Sequence, residues 1–380
     1  MKRIINKIDK PLLLLTIACV VFGLIMVGSA SSLKSYMKYG ESFHYLRRQL
    51  LFVGLGSIGG IIAMLVPFKK YKKLILLGVL GVIAALIYVL LNGDINNGIK
   101  GWINFGSFGI QPSEFAKTVL ILFLAFSFEK LMKVRKPSNV SKFAPFIVPI
   151  IFFLLVYKQP DFGTMMVLAG ITAVIFFVIP YDAKTKFVIS VFTIILVLVV
   201  ALFVVVSGKG LTEGQKQRFN YKKPCTRYRS ETGYQVCNGY IAINSGGLFG
   251  SGLGNSRQKY LYLPEAHTDF IFAIIIEEMG LVIGIVMIAV YFIIIWRIIM
   301  IGRRSYNLQG SIICFGVAAY ISLHIMINLG GVLGLIPLTG IPLPFYTFGG
   351  SFMINLLTSL GLVQRVCIEN RMFEQKHLVA

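Results

Sequence analysis

Residues 188–206, VISVFTIILVLVVALFVVV, run nineteen positions without a charge. A stretch of that length spans the hydrocarbon layer of a membrane as a single helix. Comparable apolar runs lie at about 11–30, 49–67, 73–91, 114–129, 144–157, 163–180, 186–206, 269–296, 309–334 and 349–366, the fourth and fifth shorter than the rest. Closed barrels are the other structure that satisfies backbone polar groups in lipid, but these runs lack the apolar/polar alternation of barrel strands. The expected fold is therefore all-α: a polytopic membrane protein of about ten transmembrane helices, one domain over residues 1–380, with one large extracellular loop at 207–268. With 56% hydrophobic and 14% charged residues, the chain falls outside the composition of water-soluble domains.

The opening MKRIINKIDK precedes an apolar run too long for a signal peptide, so it reads as the flank of an uncleaved first span. Orientation follows from the basic residues. Cytoplasmic termini place KKYKK, KLMKVRKPSNVSK and RIIMIGRR inside, as the positive-inside rule asks, while 31–50 dissents with four basic residues outside. The net charge of +22 is spread over the flanks of many spans, where anionic headgroups account for it, so no nucleic-acid partner is expected.

Cys19, Cys314 and Cys367 fall in or beside spans as small apolar fillers. Cys225 and Cys237 lie in the 207–268 segment, in a compartment that permits a disulfide, and spacing alone does not choose between a bond and two thiols. No Cys/His cluster marks a metal site, and the identity of any metal is unknown from the residues. Segment 335–348, LIPLTGIPLPFYTF, is proline-rich and uncharged, so it is expected as irregular chain packed against the bundle.

Ionisable groups within or at the ends of spans are costly and are the first functional candidates. Glu114 and Lys117 in QPSEFAK share a helix face and can pair. Asp161 in KQPDFGT stands where a helix N-cap would be, at the mouth of a pocket or merely as a cap. Asp269, at the head of the eighth span with Glu265 and His267 in the same turn, is either a cap or a base whose pKa is raised near the low-dielectric boundary. Glu277 and Glu278 read best as buried structural hydrogen-bond acceptors. Glycine-rich 245–259 lacks Walker spacing, yet its N–H groups with Arg257 and Lys259 could grip a pyrophosphate.

GWINFGSFGIQPSEFAK, KQPDFGT, SGGLFGSGLGNSRQKYLYLPEAHTDFIFAIIIEEMG and GLIPLTGIPLPFYTFGGS, in this order over nearly the whole chain, closely resemble the SEDS family of cell-shape, division and sporulation proteins. The resemblance implies a ten-helix peptidoglycan glycosyltransferase of the bacterial cytoplasmic membrane. It would polymerise lipid II, the undecaprenyl-pyrophosphate disaccharide-pentapeptide, beside a class B penicillin-binding transpeptidase and other divisome or elongasome proteins. The family's proposed catalytic aspartate falls on Asp269, its tryptophan on Trp102, its QPSE..K pair on Glu114 and Lys117, and its QPD acid on Asp161. NSRQKYLYLPEAHTDF is closer to the division and sporulation branch than to the elongation branch. The chain departs from the family at Ile276 before Glu277 and Glu278, at LPFYTF, and in the longer NYKKPCTRYRSETGYQ, which holds Cys225 and ends two residues before Cys237.

On this reading Asp269 takes the acceptor's proton, with Glu265 and His267 beside it, and Lys117, Arg218 and Lys259 steady the leaving pyrophosphate. No organic cofactor is needed, and a divalent cation, magnesium or manganese, is compatible with the chemistry. A lipid flippase and a non-enzymatic scaffold are the competing functions.

Overall fold

The computed structural model describes residues 6–379 apart from 97–98, 106–107, 136–137, 192–222, 228–230 and 261. Helix α1 (Lys10–Tyr39) starts at Asp9, whose carboxylate accepts from Leu12 N at 2.9 Å, and stops at Gly40 in the left-handed region. Then come α2 (His44–Leu65) and α3 (Phe68–Asn92). A small antiparallel sheet of β1 (Asp94–Asn96), β2 (Ile99–Phe105) and β3 (Phe108–Ile110) leads into α4 (Pro112–Met132). Short α5 (Asn139–Phe143) joins α6 (Ile147–Tyr157) through a 3-10 turn, and α7 (Phe162–Val178) follows. Residues 183–191 are helical, and the rest of the expected seventh span lies outside the described residues. The chain closes with α8 (Glu231–Gly246), α9 (Ile271–Arg303), α10 (Leu308–Val332) and α11 (Gly350–Val379).

Among the described residues seven helices are long and apolar enough to cross a bilayer. Two further expected spans fall short for simple reasons: α4 carries Glu114, Lys117, Glu129 and Lys130, and α7 is 17 residues long. Several expected loops need correction. Residues 31–39 extend α1, and KKYKK lies inside α3, because helical hydrogen bonding continues after the hydropathy falls. Asn104 of the unexpected sheet donates to Asp94, and Lys100 caps the last carbonyls of α3, Leu90 O and Leu91 O, at 2.9 and 3.0 Å. The 207–268 segment holds the 16-residue α8, packed along α9.

Helices α10 and α11 form the centre, while α1 to α3 turn Leu14, Ile17, Leu76, Leu77 and Leu80 outward as a lipid-facing belt. Small residues let α2 approach α11 closely. A Cβ on Gly60 would stand 2.8 Å from Leu357 O, and one on Gly361 would stand 2.2 Å from Gly60 O. At the end of the bundle remote from Asp269 the two chain ends meet. Asp9 pairs with Arg297, Asp9 N donates to Gln364 Oε1 at 2.8 Å, and Arg371 donates to Ile8 O at 3.0 Å.

Helix α9 breaks at Gly280, with φ 86° and ψ 166°, a region open in practice only to glycine. The freed backbone groups find partners in the glycine-rich loop: Ser251 N donates to Glu277 O, Gly252 N to Glu278 O and Leu281 N to Gly247 O, each at 2.9 Å. A Cβ on Gly280 would meet Leu248 O at 2.2 Å. Gly280→Ala is therefore expected to destabilise the protein by at least about 1–3 kcal/mol, read as a lowered Tm in detergent. An unchanged Tm would show that the break is not strained against alanine.

Candidate active site

Asp269 ends an irregular segment that delivers the chain to α9. Glu265 turns it with φ 55°, its carbonyl accepting from Thr268 N at 3.1 Å and Phe270 N at 3.3 Å. The N-cap position of α9 is Phe270, so Asp269 does not hold the capping position that its place before the apolar run suggested. Phe270 is fully buried and anchors the turn, its ring against Gly239 of α8. Asp269 itself is partly exposed. Its carbonyl accepts from Asn328 Nδ2 at 2.9 Å, and its carboxylate Oδ2 would be 3.4 Å from a Cβ on Gly340. Gly340 belongs to the proline-rich segment, where its φ of 74° favours glycine, and it places that segment beside the carboxylate.

The two titratable neighbours are held in opposite states. Burial pushes the Glu265 carboxyl up, but Lys34 Nζ at 3.2 Å, Thr268 Oγ1 at 2.7 Å and His267 outweigh it, leaving the group below the ordinary carboxylate value. His267 is buried between the rings of Tyr45 and Phe348, and burial, reinforced by the Lys34 charge, lowers it to about 4. At neutral pH the turn therefore carries an ionised Glu265 and a neutral imidazole.

Stability should follow pH accordingly. His267 takes up a proton at 6.5 when unfolded and at about 4 when folded, so its contribution is complete above 6.5 and is lost as pH falls toward 4. The loss reaches about 3 kcal/mol. Glu265, lowered when folded, acts in the same direction at more acid pH, its contribution fading below its ordinary 4.5. Melting scans in detergent should show wild type weakening between pH 6.5 and 4 and His267→Gln weakening less. Parallel curves would rule out His267 as the cause.

The proline-rich segment is irregular and buried, as its composition suggested, with Ile341, Leu343, Phe345 and Tyr346 each at most 3% exposed. Buried backbone needs partners, and side chains from three helices supply them. Asn328 donates to Ile341 O at 2.8 Å, and His324 Nδ1 lies 3.1 Å from Pro342 O. Tyr291 donates to Pro344 O, and Gln49 both donates to Thr347 O and accepts from Gly349 N. Phe348 N reaches His267 O at 3.0 Å, and Thr347 Oγ1 reaches Thr268 O at 3.2 Å, so this segment and the Asp269 turn are stitched together directly.

Beneath the segment lies a buried ion pair. Lys117 Nζ is 2.7 Å from Glu114 Oε1 and 3.0 Å from His324 Nε2, with 0% of Lys117 and 3% of Glu114 exposed. Asp161 caps α7 by accepting from Thr164 N at 3.0 Å and takes Gln111 Nε2 at 3.2 Å. Gly163, in the first turn of α7, lies against Ile341. Trp102 stands on β2, half-buried, its ring beside Gly109 of β3.

Two cations expected at a pyrophosphate are committed elsewhere. The ammonium of Lys117 is sealed with Glu114 and His324. Lys259 is 6% exposed, and its donors go to Glu278 Oε1 at 2.8 Å, Ser29 Oγ at 3.0 Å and Gly254 O at 2.6 Å. Glu277 accepts from Ser256, Arg257 N and Gln258 N, so both acids fasten the glycine-rich loop. Arg218 lies outside the described residues. Cys225 and Cys237 are joined in a disulfide that ties the turn at Pro224–Arg227 to α8. Among the described residues no three His, Cys, Asp or Glu side chains gather to hold a metal ion.

Lys34, Gln49, His324 and Asn328 also support this turn and segment, beyond the residues expected from the sequence. The last two had a signal: polar groups at i and i+4 inside an apolar run, YISLHIMIN.

A family model described as cell cycle protein, covering FtsW, RodA and SpoVE, matches residues 10–372. The chain belongs to this family. Family members close in sequence include a probable peptidoglycan glycosyltransferase FtsW of Bacillus subtilis, 34% identical over 99% of this chain and 94% of the relative. Stage V sporulation protein E of the same organism is 37% identical over 94% and 96%. These relatives fit the division and sporulation leaning of the NSRQKYLYLPEAHTDF stretch. Among solved structures, a chain from a peptidoglycan synthase complex coordinating polymerization and crosslinking superposes with TM-score 0.76 at 25% identity, covering 96% of this chain and 98% of that one. The rod shape determining protein RodA of Thermus thermophilus superposes with TM-score 0.68 at 25% identity, covering 96% and 97%. The FtsW/RodA/SpoVE fold thus extends over the whole described bundle.

Proposed function

We propose that the chain polymerises lipid II into glycan strands at the outer face of the bacterial cytoplasmic membrane, with Asp269 as the general base. The observation that carries this reading is the placement of Asp269. It is partly exposed at one end of the bundle, its main chain is pinned by Asn328, and Gly340 of the proline-rich segment lies beside its carboxylate. The acceptor's 4-hydroxyl attacks the anomeric carbon of the donor, its proton passes to Asp269, and the bond from that carbon to the pyrophosphate oxygen breaks. Undecaprenyl pyrophosphate leaves with the bonding electrons. Lys34 brings a positive charge to the same turn but is balanced by Glu265.

Both termini are assigned to the cytoplasm. The end of the bundle where they meet is also the end of Lys69, Lys70, Lys72, Lys73, Arg303 and Arg304, in keeping with the positive-inside rule. A class B penicillin-binding transpeptidase is the proposed partner, a reading supported by the likeness to a chain of a peptidoglycan synthase complex. The break in α9 is a feature that transporters use, but here its backbone groups are satisfied by the glycine-rich loop, which favours the enzyme over a flippase.

The test is to purify the protein with a transpeptidase partner and supply labelled lipid II. Glycan polymer is the expected product. Transfer of lipid II across vesicles without polymer would overturn the proposal in favour of a flippase.

A further inference from the structure

Helix α10 presents His324 and Asn328 one turn apart, and they grip successive carbonyls of the proline-rich segment. Asn328 holds Ile341 O together with Asp269 O, and His324 Nδ1 holds Pro342 O at 3.1 Å. The other ring nitrogen of His324, Nε2, is 3.0 Å from Lys117 Nζ. An ammonium offers only donors, so Nε2 must accept and the ring proton must sit on Nδ1, where the Pro342 carbonyl receives it. The two neighbours thereby select one neutral tautomer. The ring is also held in place, stacked on Phe352 at 4.8 Å and 22° and edge-on to Tyr320 at 4.9 Å and 83°, with 0% of the residue exposed.

The sealed Lys117 ammonium cannot reach a substrate, yet through one imidazole it bears on Pro342. Gly340, two residues before Pro342, lies against the Asp269 carboxylate. We propose that His324 is a positioning residue for glycan polymerisation. It relays the fixed charge of the Lys117–Glu114 pair into a hydrogen bond on Pro342 and so holds the segment that borders the Asp269 carboxylate. The inference rests on the reading of Asp269 as the base. Without the imidazole, the Pro342 carbonyl and one Lys117 donor would be orphaned in a site closed to water, and the segment would relax away from the acid.

The experiment uses the full chain with its transpeptidase partner and labelled lipid II, comparing wild type, His324→Phe and His324→Gln. Phenylalanine keeps the stacking and loses both hydrogen bonds, whereas glutamine can accept from Lys117 and donate to Pro342. The expected result for His324→Phe is a kcat lower by about 10–100-fold with KM for lipid II within about twofold, since misplacement of a catalytic group acts on the transition state. His324→Gln should recover to within about fivefold of wild type. If His324→Phe does not purify as a monodisperse protein, His324→Met serves in its place with the same expectation.

Wild-type kcat in a variant lacking both hydrogen bonds would overturn the proposal. So would a glutamine variant that folds and binds its partner but is no better than phenylalanine, since that pattern belongs to a histidine that only fills space. An inactive wild type would remove the polymerase reading itself, and this proposal with it.

Discussion

Asp269→Ala is expected to cut polymer formation from lipid II by about 10²–10⁴-fold, the range that a positioned general base contributes. The variant should still purify as a monodisperse protein and bind the proposed transpeptidase partner, because the turn keeps its other fastenings. Phe270 remains buried, Phe348 N still meets His267 O, and Asn328 still holds the Asp269 carbonyl, which alanine also possesses. Asp269→Asn should be as inactive as alanine, since an amide preserves the shape but accepts no proton at neutral pH. Its neighbours offer no substitute: Glu265 is bound to Lys34 and Thr268, and His267 is buried against Tyr45 and Phe348. Gel analysis of labelled glycan at matched protein concentration decides the matter. A rate above a tenth of wild type in either variant would take the base role away from Asp269.

The spans were legible because a bilayer imposes one length on every apolar run, and a missing charge is visible in sequence without knowing its neighbours. Their ends were not. Lys34 and Lys38 belong to α1, and Lys69 to Lys73 belong to α3, since a helix that leaves lipid loses hydropathy and keeps its hydrogen bonds. The β1–β3 sheet was hidden for another reason: its strands are short and interrupted by glycine, so alternation is weak evidence for them. At the site, ionisable groups in apolar surroundings stand out by cost alone, and Glu114, Lys117, Asp161 and Asp269 were singled out that way. What holds Asp269 was invisible because the fastenings are neutral side chains on main-chain carbonyls. Gln49 and Thr347 O are 298 positions apart, and Asn328 and Asp269 O are 59 apart. The fate of Lys259 was equally a matter of tertiary pairing. Nothing local says that the cation of the glycine-rich loop closes onto Glu278 and leaves none of its donors for a ligand.

Lys117→Met should destabilise the protein by about 3–5 kcal/mol and remove activity, two effects with separable causes. The lysine is fully buried, so methionine replaces its stem well but leaves the Glu114 carboxylate without its cation. Glu114 Oε2 already has no hydrogen-bond partner among the described residues, and His324 Nε2 would lose its donor as well. The uncompensated charge, not lost packing, supplies most of the cost. Adding Glu114→Gln to Lys117→Met removes that charge, and the double variant should recover at least about 2 kcal/mol relative to simple additivity. Tm measured in detergent on the two single variants and the double tests this directly. A double variant as unstable as the sum of the singles would mean that the pair is not coupled. Activity should not return with stability. The charge that fixes the His324 tautomer donating to Pro342 is still missing, so nothing enforces that hold on the segment beside Asp269. A double variant that regained both would show that the ion pair serves only the fold. One that regained stability alone would place the pair in the support of Asp269, the proposed base, at a distance from any substrate atom.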